Sequence, residues 1–341
     1  MNNLIEININ IKNVNDVRII VNHREYRLEP VNESQAEPVQ SNIPTMQTFV
    51  KQLTQQLREE GRIRTSETYR CATNIFQEFL SRSDIMFHQI DAQLIKRYEQ
   101  FLIKKGLTMN SISFYLRVLR TIYNKAVASK FTLDQQPFKN VYTGIGKTIK
   151  RAIPLDAIQR IRQLTGLNTQ EELARDLFLF SFYTRGMSFI DMAYLTPENI
   201  HDGLLIYRRH KTSQELTISW EPQMQDIVNR HPSSNKDYLL PIILRSNGCE
   251  RSQYREAQRM TNILLKEIAQ KADIDIPLSM YVARHSWASV ARCMSIPVNI
   301  ISEGMGHYSE KTTQIYLKSL NNKELNQANA VIIQAVSNPS P

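Results

Sequence analysis

The sequence predicts a mainly α protein of two domains, with a small β-hairpin or sheet in the second. Three observations predict it. Between Thr45 and Ser129 apolar residues recur at helical spacing in four successive segments. A stretch punctuated by proline and glycine, residues 137–153, then breaks the periodicity. Beyond it, strand-type alternation flanks a turn around Thr212–Gln214, with helical patterns on either side. With 341 residues the chain is long enough for two ordinary cores.

The elements follow in order. Residues 1–44 form an extension: "IEININI" and "DVRIIVNHREYRL" alternate weakly enough for a short hairpin, and "EPVNESQAEPVQSNIP" is a polar linker. Residues 45–136 form the helical domain. Its first helix stops at Gly61, a residue type suited to a C-terminal cap. Its second carries the stripe Tyr69, Ala72, Phe76, Phe79 and Leu80. The third starts from Asp91 as N-cap and ends before Gly106. The fourth aligns Ile112, Tyr115, Leu119, Ile122 and Ala126, leaving Arg117, Arg120 and Lys125 off that stripe. Residues 137–153 are a basic linker. The second domain, residues 154–320, opens with the helical "PLDAIQRIRQL" and "TQEELARDLFLFSFYTRG", continues into the hairpin, and is mostly helical from Pro222. In the tail, 321–341, Leu325, Ala328, Val331, Ile332 and Ala335 share one helical stripe.

Composition narrows the function. An apolar fraction of 42% with 22% charged residues is that of a soluble globular protein. No apolar run spans a bilayer, and the N-terminus does not read as a secretory signal, so a cytoplasmic protein is expected, with no membrane partner. Cys71, Cys249 and Cys293 are too scattered for a disulfide or zinc framework. The net charge of +9 is local: residues 101–152 hold ten basic residues against one acid, Asp134. A charge run is most often a solvated helix face. Here Phe114, Tyr115, Tyr123, Phe131, Phe138 and Tyr142 interleave with it, which points to a polyanion such as nucleic acid. The binding candidates are Lys104, Lys105, Arg117, Arg120, Lys125, Lys147, Lys150 and Arg151.

The second domain offers candidates for chemistry. Arg185 follows an apolar helix beside Gly186, where an exposed arginine is also ordinary. Lys211 sits at the hairpin tip in "YRRHKTSQ", where most lysines are only solvated. Arg284 lies in the apolar helix "SMYVARHSWASVA" and therefore needs an anionic partner, internal or bound. His307 follows Gly306, and Tyr316 falls in a short helix that starts near Ser309. A tyrosine there is usually core. Taken together, two arginines, a lysine, a histidine and a tyrosine suffice to attack a phosphodiester without a metal. Guanidiniums clamp non-bridging oxygens, a phenol supplies the nucleophile, and an ammonium protonates the leaving oxygen.

Order and spacing of these residues resemble the tyrosine recombinase (phage integrase) family, over Thr45 to Leu320. "MGHYSEKTTQIY" carries the glycine–histidine pair with a tyrosine nine residues after the histidine, "YRRHKT" the hairpin lysine, and "YVAR" the His-x-x-Arg box. The resemblance implies a two-domain clamp around duplex DNA. Tyr316 would form a 3′-phosphotyrosyl link, Lys211 would act as general acid, Arg284 would clamp the phosphate and His307 would hydrogen-bond it. Strand exchange would pass through a Holliday junction in a tetramer on two DNA sites, with an accessory DNA-bending protein as a further partner. No metal or other cofactor is implied. Two departures stand out. Tyr281 occupies the place of the box histidine and is kept as a catalytic candidate, able to donate a hydrogen bond but a poor base near neutral pH. His285 points about 100° around the helix from Arg284, too far to substitute. In "SFIDMAYL" Ser188 stands at the family's first arginine and Asp191 at its glutamate, so Arg185, one turn upstream, is taken as the functional arginine. Both departures resemble integrases of conjugative transposons and related mobile elements, which implies integration, excision or inversion of a DNA element. The tail is expected to dock on a neighbouring protomer. The alternatives are a type IB topoisomerase-like strand transferase and a non-catalytic DNA-binding remnant.

Overall fold

The computed structural model describes residues 18–21, 24–27, 43–146, 151–317 and 329. The tail stripe lies outside them, as do Lys147 and Lys150 of the binding candidates. The chain divides into two compact units, Met1–Lys147 and Thr148–Pro341.

In the first unit, strands β1 (Arg18–Val21) and β2 (Arg24–Arg27) pair antiparallel as the expected hairpin. Four helices follow: α1 (Met46–Glu59), α2 (Ile63–Phe79), α3 (Ala92–Lys104) and α4 (Met109–Ala128). Side-chain caps start three of them. Thr45, Asp91 and Thr108 accept from the backbone of Thr48, Leu94 and Ser111, each relieving an orphan N–H at a helix start. The predicted stripes are buried: Ala72, Phe76, Ile112, Leu119, Ile122 and Ala126 are nearly or wholly inaccessible.

Two expectations need correcting here. Tyr123 and Phe138 belong to this core, their rings 6.0 Å apart, and the Tyr123 hydroxyl donates to the Leu133 carbonyl at 3.1 Å. They pack; they do not present aromatic faces to a nucleic acid. The first half of the expected linker is also not free. Phe138 is buried, the Tyr142 N–H donates to the Glu99 carboxylate (2.7 Å), and the Gly146 N–H donates to Asn110 (2.7 Å).

The second unit is organised by α6 (Thr169–Tyr183), beside α5 (Leu155–Gln163). Asn168 and Glu171 close a capping box at the start of α6. Every residue from Ala174 to Ser181 is buried, as suits a helix packed on several sides by α5, α8, α9 and α10, whose ranges follow. The buried Asp176 is compensated by three donors, Arg175 (2.8 Å), Arg230 (3.0 Å) and His231 (2.8 Å). After α6 come the short α7 (Phe189–Ala193) and an antiparallel sheet of β3 (Ile200–His201), β4 (Leu204–Arg208) and β5 (Glu215–Ser219). The sequence did not indicate β3, which is two residues long. Helices α8 (Pro222–Arg230), α9 (Glu250–Lys271), α10 (Met280–Cys293), α11 (Val298–Gly304) and α12 (Glu310–Gln314) complete the unit. Tyr316 lies just past the end of α12, not inside a helix. A small separate core beneath α11 and α12 joins Ala288, Ala291, Ile301, Met305 and Leu317.

Candidate active site

Tyr281, Arg284 and His285 stand three and four residues apart on α10, the spacing that puts side chains on one face. Arg284 is 4% exposed. Its Nη1 donates to the Gly186 carbonyl (2.8 Å), and its Nη2 to the Met305 carbonyl (2.6 Å) and to His307 Nε2 (2.9 Å). Its Nε finds no acceptor. Gly186 is required for this approach: a Cβ there, at φ +75°, would lie 2.6 Å from Arg284 Cα.

The guanidinium also fixes the histidine. Arginine only donates, so His307 Nε2 accepts and the ring proton sits on Nδ1. That N–H donates to Thr313 Oγ1 at 2.9 Å, and Thr313 is fully buried. Burial and the positive charges of Arg284, Arg209 and Lys211 hold His307 down at about 4, so it is neutral near pH 7. Thr313 thus has a defined task that the sequence reading did not give it.

Tyr316 lies among these groups. Its ring stacks on His307 (5.1 Å between centroids, 26°) and lies 4.8 Å from the His285 ring and 5.5 Å from Arg284 Cζ. The Tyr281 hydroxyl meets the Tyr316 hydroxyl at 2.8 Å. Although Tyr281 is 55% exposed, partial desolvation of its phenol, followed by this hydrogen bond, raises it above its ordinary range. His285 is a correction: its ring also contacts Tyr281 at 4.8 Å, so it belongs to the cluster rather than pointing away from it.

The hairpin supplies the remaining cations. Arg209 donates through Nη1 to the Gly306 carbonyl at 2.5 Å, and Lys211 lies exposed two residues on. The loop is braced from two sides. The Tyr308 hydroxyl donates to the Thr212 carbonyl (3.3 Å), and the buried Asp191 accepts from the His210 backbone (2.8 Å) and from Ser188 Oγ (2.7 Å). Burial alone would raise the Asp191 carboxyl, but bonds from His210 and Ser188 outweigh it and leave it below its usual range. Ser188 therefore serves as the N-cap of α7 and orients a carboxylate.

Arg185 is not brought into the hydrogen-bonded cluster. It sits at φ +58° after α6, and its Nη1 reaches the Thr217 carbonyl at 3.4 Å. There it lines a cleft of about 540 Å³ with Trp287, Ile300 and Glu303. Its charge still reaches inward: Arg284, Arg209 and Arg185 all pull on the Tyr207 phenol, against the stronger upward push of burial. Arg209 is the functional candidate that sequence reasoning missed.

Among the binding candidates on the first unit, Lys104, Arg120 and Lys125 are exposed and Arg117 is half-buried. Lys105 is paired with Glu78 at 2.5 Å. Arg151, at the start of the second unit, is exposed. Among the described residues no cluster of three or more His, Cys, Asp or Glu could hold a metal ion, and no helix is long and apolar enough to cross a membrane.

A phenol ringed by guanidiniums, an ammonium and a neutral imidazole can do one kind of chemistry well: nucleophilic attack on an anionic ester. Comparisons with known proteins agree with that class. Residues 45–143 match the phage integrase SAM-like domain. The tyrosine recombinase XerA of Pyrococcus furiosus is 25% identical over 77% of this chain and 86% of its own length. XerD of Staphylococcus aureus is 21% identical over 74% of this chain and 86% of its own. In fold, the chain resembles a lambda integrase tetramer bound to a Holliday junction, at TM-score 0.63 and 14% identity, covering 82% of this chain and 78% of that one. It also resembles the Tn1549 transposon integrase in complex with transposon right end DNA, at TM-score 0.57 and 13% identity, covering 84% and 98%. Together, the domain match, the recombinase relatives and the shared fold support the tyrosine recombinase family for this chain.

Proposed function

We propose that the chain is a site-specific recombinase that cuts and rejoins duplex DNA, with Tyr316 as nucleophile. The observation that carries this reading is the Tyr316 ring held against Arg284 and His307, with Arg209 and Lys211 at the rim and no carboxylate paired to any of these three cations among the described residues. Such a site lacks one anion, and a phosphodiester supplies it.

In this reading Arg284 and Arg209 hold the non-bridging oxygens, and Arg209 takes the place that the sequence assigned to Arg185. Arg185 adds charge from the adjoining cleft. His307, neutral and accepting from Arg284, aims the guanidinium rather than donating to the phosphate. Lys211 protonates the leaving 5′ oxygen. Attack by Tyr316 forms the Oη–P bond and releases that oxygen, so the ester energy is kept in the protein–DNA link. The basic side of α4, with Arg117, Arg120 and Lys125, contacts the DNA backbone. A tetramer on two DNA sites, strand exchange through a Holliday junction, and integration or excision of a mobile element complete the proposal. Its support is the fold shared with integrases solved on DNA. An accessory DNA-bending protein and residence at the nucleoid are further parts of the same proposal.

The test uses duplexes selected from a random library for binding, then nicked near the cut to trap the intermediate. Wild type gives a covalent protein–DNA band on a denaturing gel, and Tyr316→Phe gives none. Arg209→Ala loses most of the band, about 10²–10³-fold for a charge-stabilising group, and Arg185→Ala loses less. A wild type that binds tightly and never forms the band overturns the proposal.

A further inference from the structure

The 2.8 Å contact between the Tyr281 and Tyr316 hydroxyls joins the proposed attacking atom to a second phenol. A phenol is a poor base near neutral pH and a good hydrogen-bond donor, so Tyr281 cannot do the work of a histidine base. What it can do is decided by which oxygen keeps its proton.

The surroundings decide it. Tyr281 is the donor in its bond to Tyr316. Partial desolvation and that bond raise its phenol although the residue is 55% exposed, so it holds its proton. The guanidinium of Arg284 lies over the Tyr316 ring, 5.5 Å from its centroid, and interacts electrostatically with that phenol. The titratable and charged groups around the pair are Arg284 and His285 from α10, His307 after α11, and Arg209, Lys211 and Tyr207 from the hairpin. His307 is neutral near pH 7 and its Nε2 already accepts from Arg284, so it contributes no competing positive donor to the phenol.

We infer that Tyr281 is a further catalytic residue, whose hydroxyl donates to the Tyr316 oxygen and stabilises it as phenolate before cleavage and again on rejoining. The inference rests on the reading of Tyr316 as nucleophile. In cleavage the Tyr316 O–H bond breaks and its proton passes to water. The Oη–P bond then forms, and the P–O5′ bond breaks with its electron pair. That oxygen takes a proton from the Lys211 ammonium. Tyr281 keeps its own proton throughout. Rejoining reverses each change, with Tyr281 donating to the departing phenolate. A histidine at this place would act by taking a proton; here a permanent donor makes the proton easier to lose.

The test is Tyr281→Phe, which keeps the ring that packs on His285 and removes only the hydroxyl. Wild type and variant are compared as full chains, in single-turnover cleavage and in rejoining, from pH 6 to pH 10. A hydrogen bond to a charged oxygen corresponds to about 10–100-fold, so cleavage near pH 7 falls by that factor. The deficit shrinks as pH rises, because more hydroxide is then present to take the proton in either protein. DNA affinity and thermal midpoint stay near wild type. A loss that is equal at every pH, or that appears as weaker DNA binding, makes Tyr281 a structural or phosphate-contacting group and overturns the inference. Faster cleavage by the variant overturns it too, since the bond would then restrain the nucleophile. If wild type forms no covalent complex, the recombinase reading fails first and this inference fails with it. If wild type cleaves and Tyr281→Phe matches it at pH 7, only this inference fails.

Discussion

Gly186→Ala should damage the catalytic unit more than its backbone conformation alone explains, and Gly203→Ala provides the control. The two glycines have almost the same backbone angle, φ +75° and +74°. A side chain at either position meets the same left-handed penalty, about 1–2 kcal/mol. They differ in what a methyl group would strike. At Gly203 nothing lies within 4 Å, whereas at Gly186 the new carbon would sit 2.6 Å from Arg284 Cα, 2.8 Å from Cγ and 2.9 Å from Cβ. The first of these is backbone and cannot swing aside, so the turn or α10 must shift. Overpacking of this kind costs about 1–3 kcal/mol. For a unit of about 200 residues, 2 kcal/mol separates the variants by roughly 6 °C in thermal midpoint. The shift also displaces the Gly186 carbonyl from Arg284, so cleavage should fall about tenfold or more in Gly186→Ala and stay unchanged in Gly203→Ala. Circular dichroism melting and single-turnover cleavage provide the readouts. Equal melting losses in the two variants would refute the close approach of α10 to this turn.

Two further outcomes follow from the electrostatics. His307 sits at about 4 in the folded chain against an ordinary 6.5. Between those values the unfolded chain binds a proton that the folded chain refuses, so stability drops as pH falls from 6.5 towards 4 and levels off below. Melting followed over that window should show a shallower decline in His307→Gln than in wild type. Binding to duplex DNA should weaken steeply with salt. If about five phosphates are neutralised the log–log slope is near −4 to −5, and Arg120→Ala or Lys125→Ala each flattens it by about one. Lys105→Ala changes it less, because Glu78 already holds that ammonium at 2.5 Å. Titration by fluorescence anisotropy at several salt concentrations measures each slope.

Helices α1 to α4 were legible because each buries one stripe, and a 3.6-residue period survives in the order of apolar residues. Lys211, Arg284, His307 and Tyr316 were legible as a family spacing. Arg209 was not found, although β4 contained the signal. Leu205 and Tyr207 point inward, and the same two-residue alternation carries Arg209 inward and turns Arg208 out to Glu215. His285 was misjudged because its direction was measured from Arg284. Tyr281, four residues back, is the neighbour that shares its face. The structural role of Ser188 could not be read from a comparison with the residue it replaces. It depends on where Asp191 points, and that is set by the His210 backbone nineteen residues away. Tyr123 and Phe138 show the converse error, since aromatic residues between cations mark a binding face only when the rings are exposed.

The small core beneath α11 and α12 gives Tyr316, the proposed nucleophile, its own stability. Arg284 and the hairpin are anchored by the large core around α6, whereas Tyr316 and His307 rest on a patch whose larger buried side chains are Ile301, Met305 and Leu317. Two arginine-to-carbonyl bonds, at Met305 and Gly306, fasten that patch to the rest. The bonds from Arg284 to His307, Tyr281 to Tyr316, and Tyr308 to Thr212 add to that attachment, while the patch's own apolar core stays smaller than the one around α6. The proposed phosphate-binding arginines and the proposed attacking tyrosine therefore rest on separate cores.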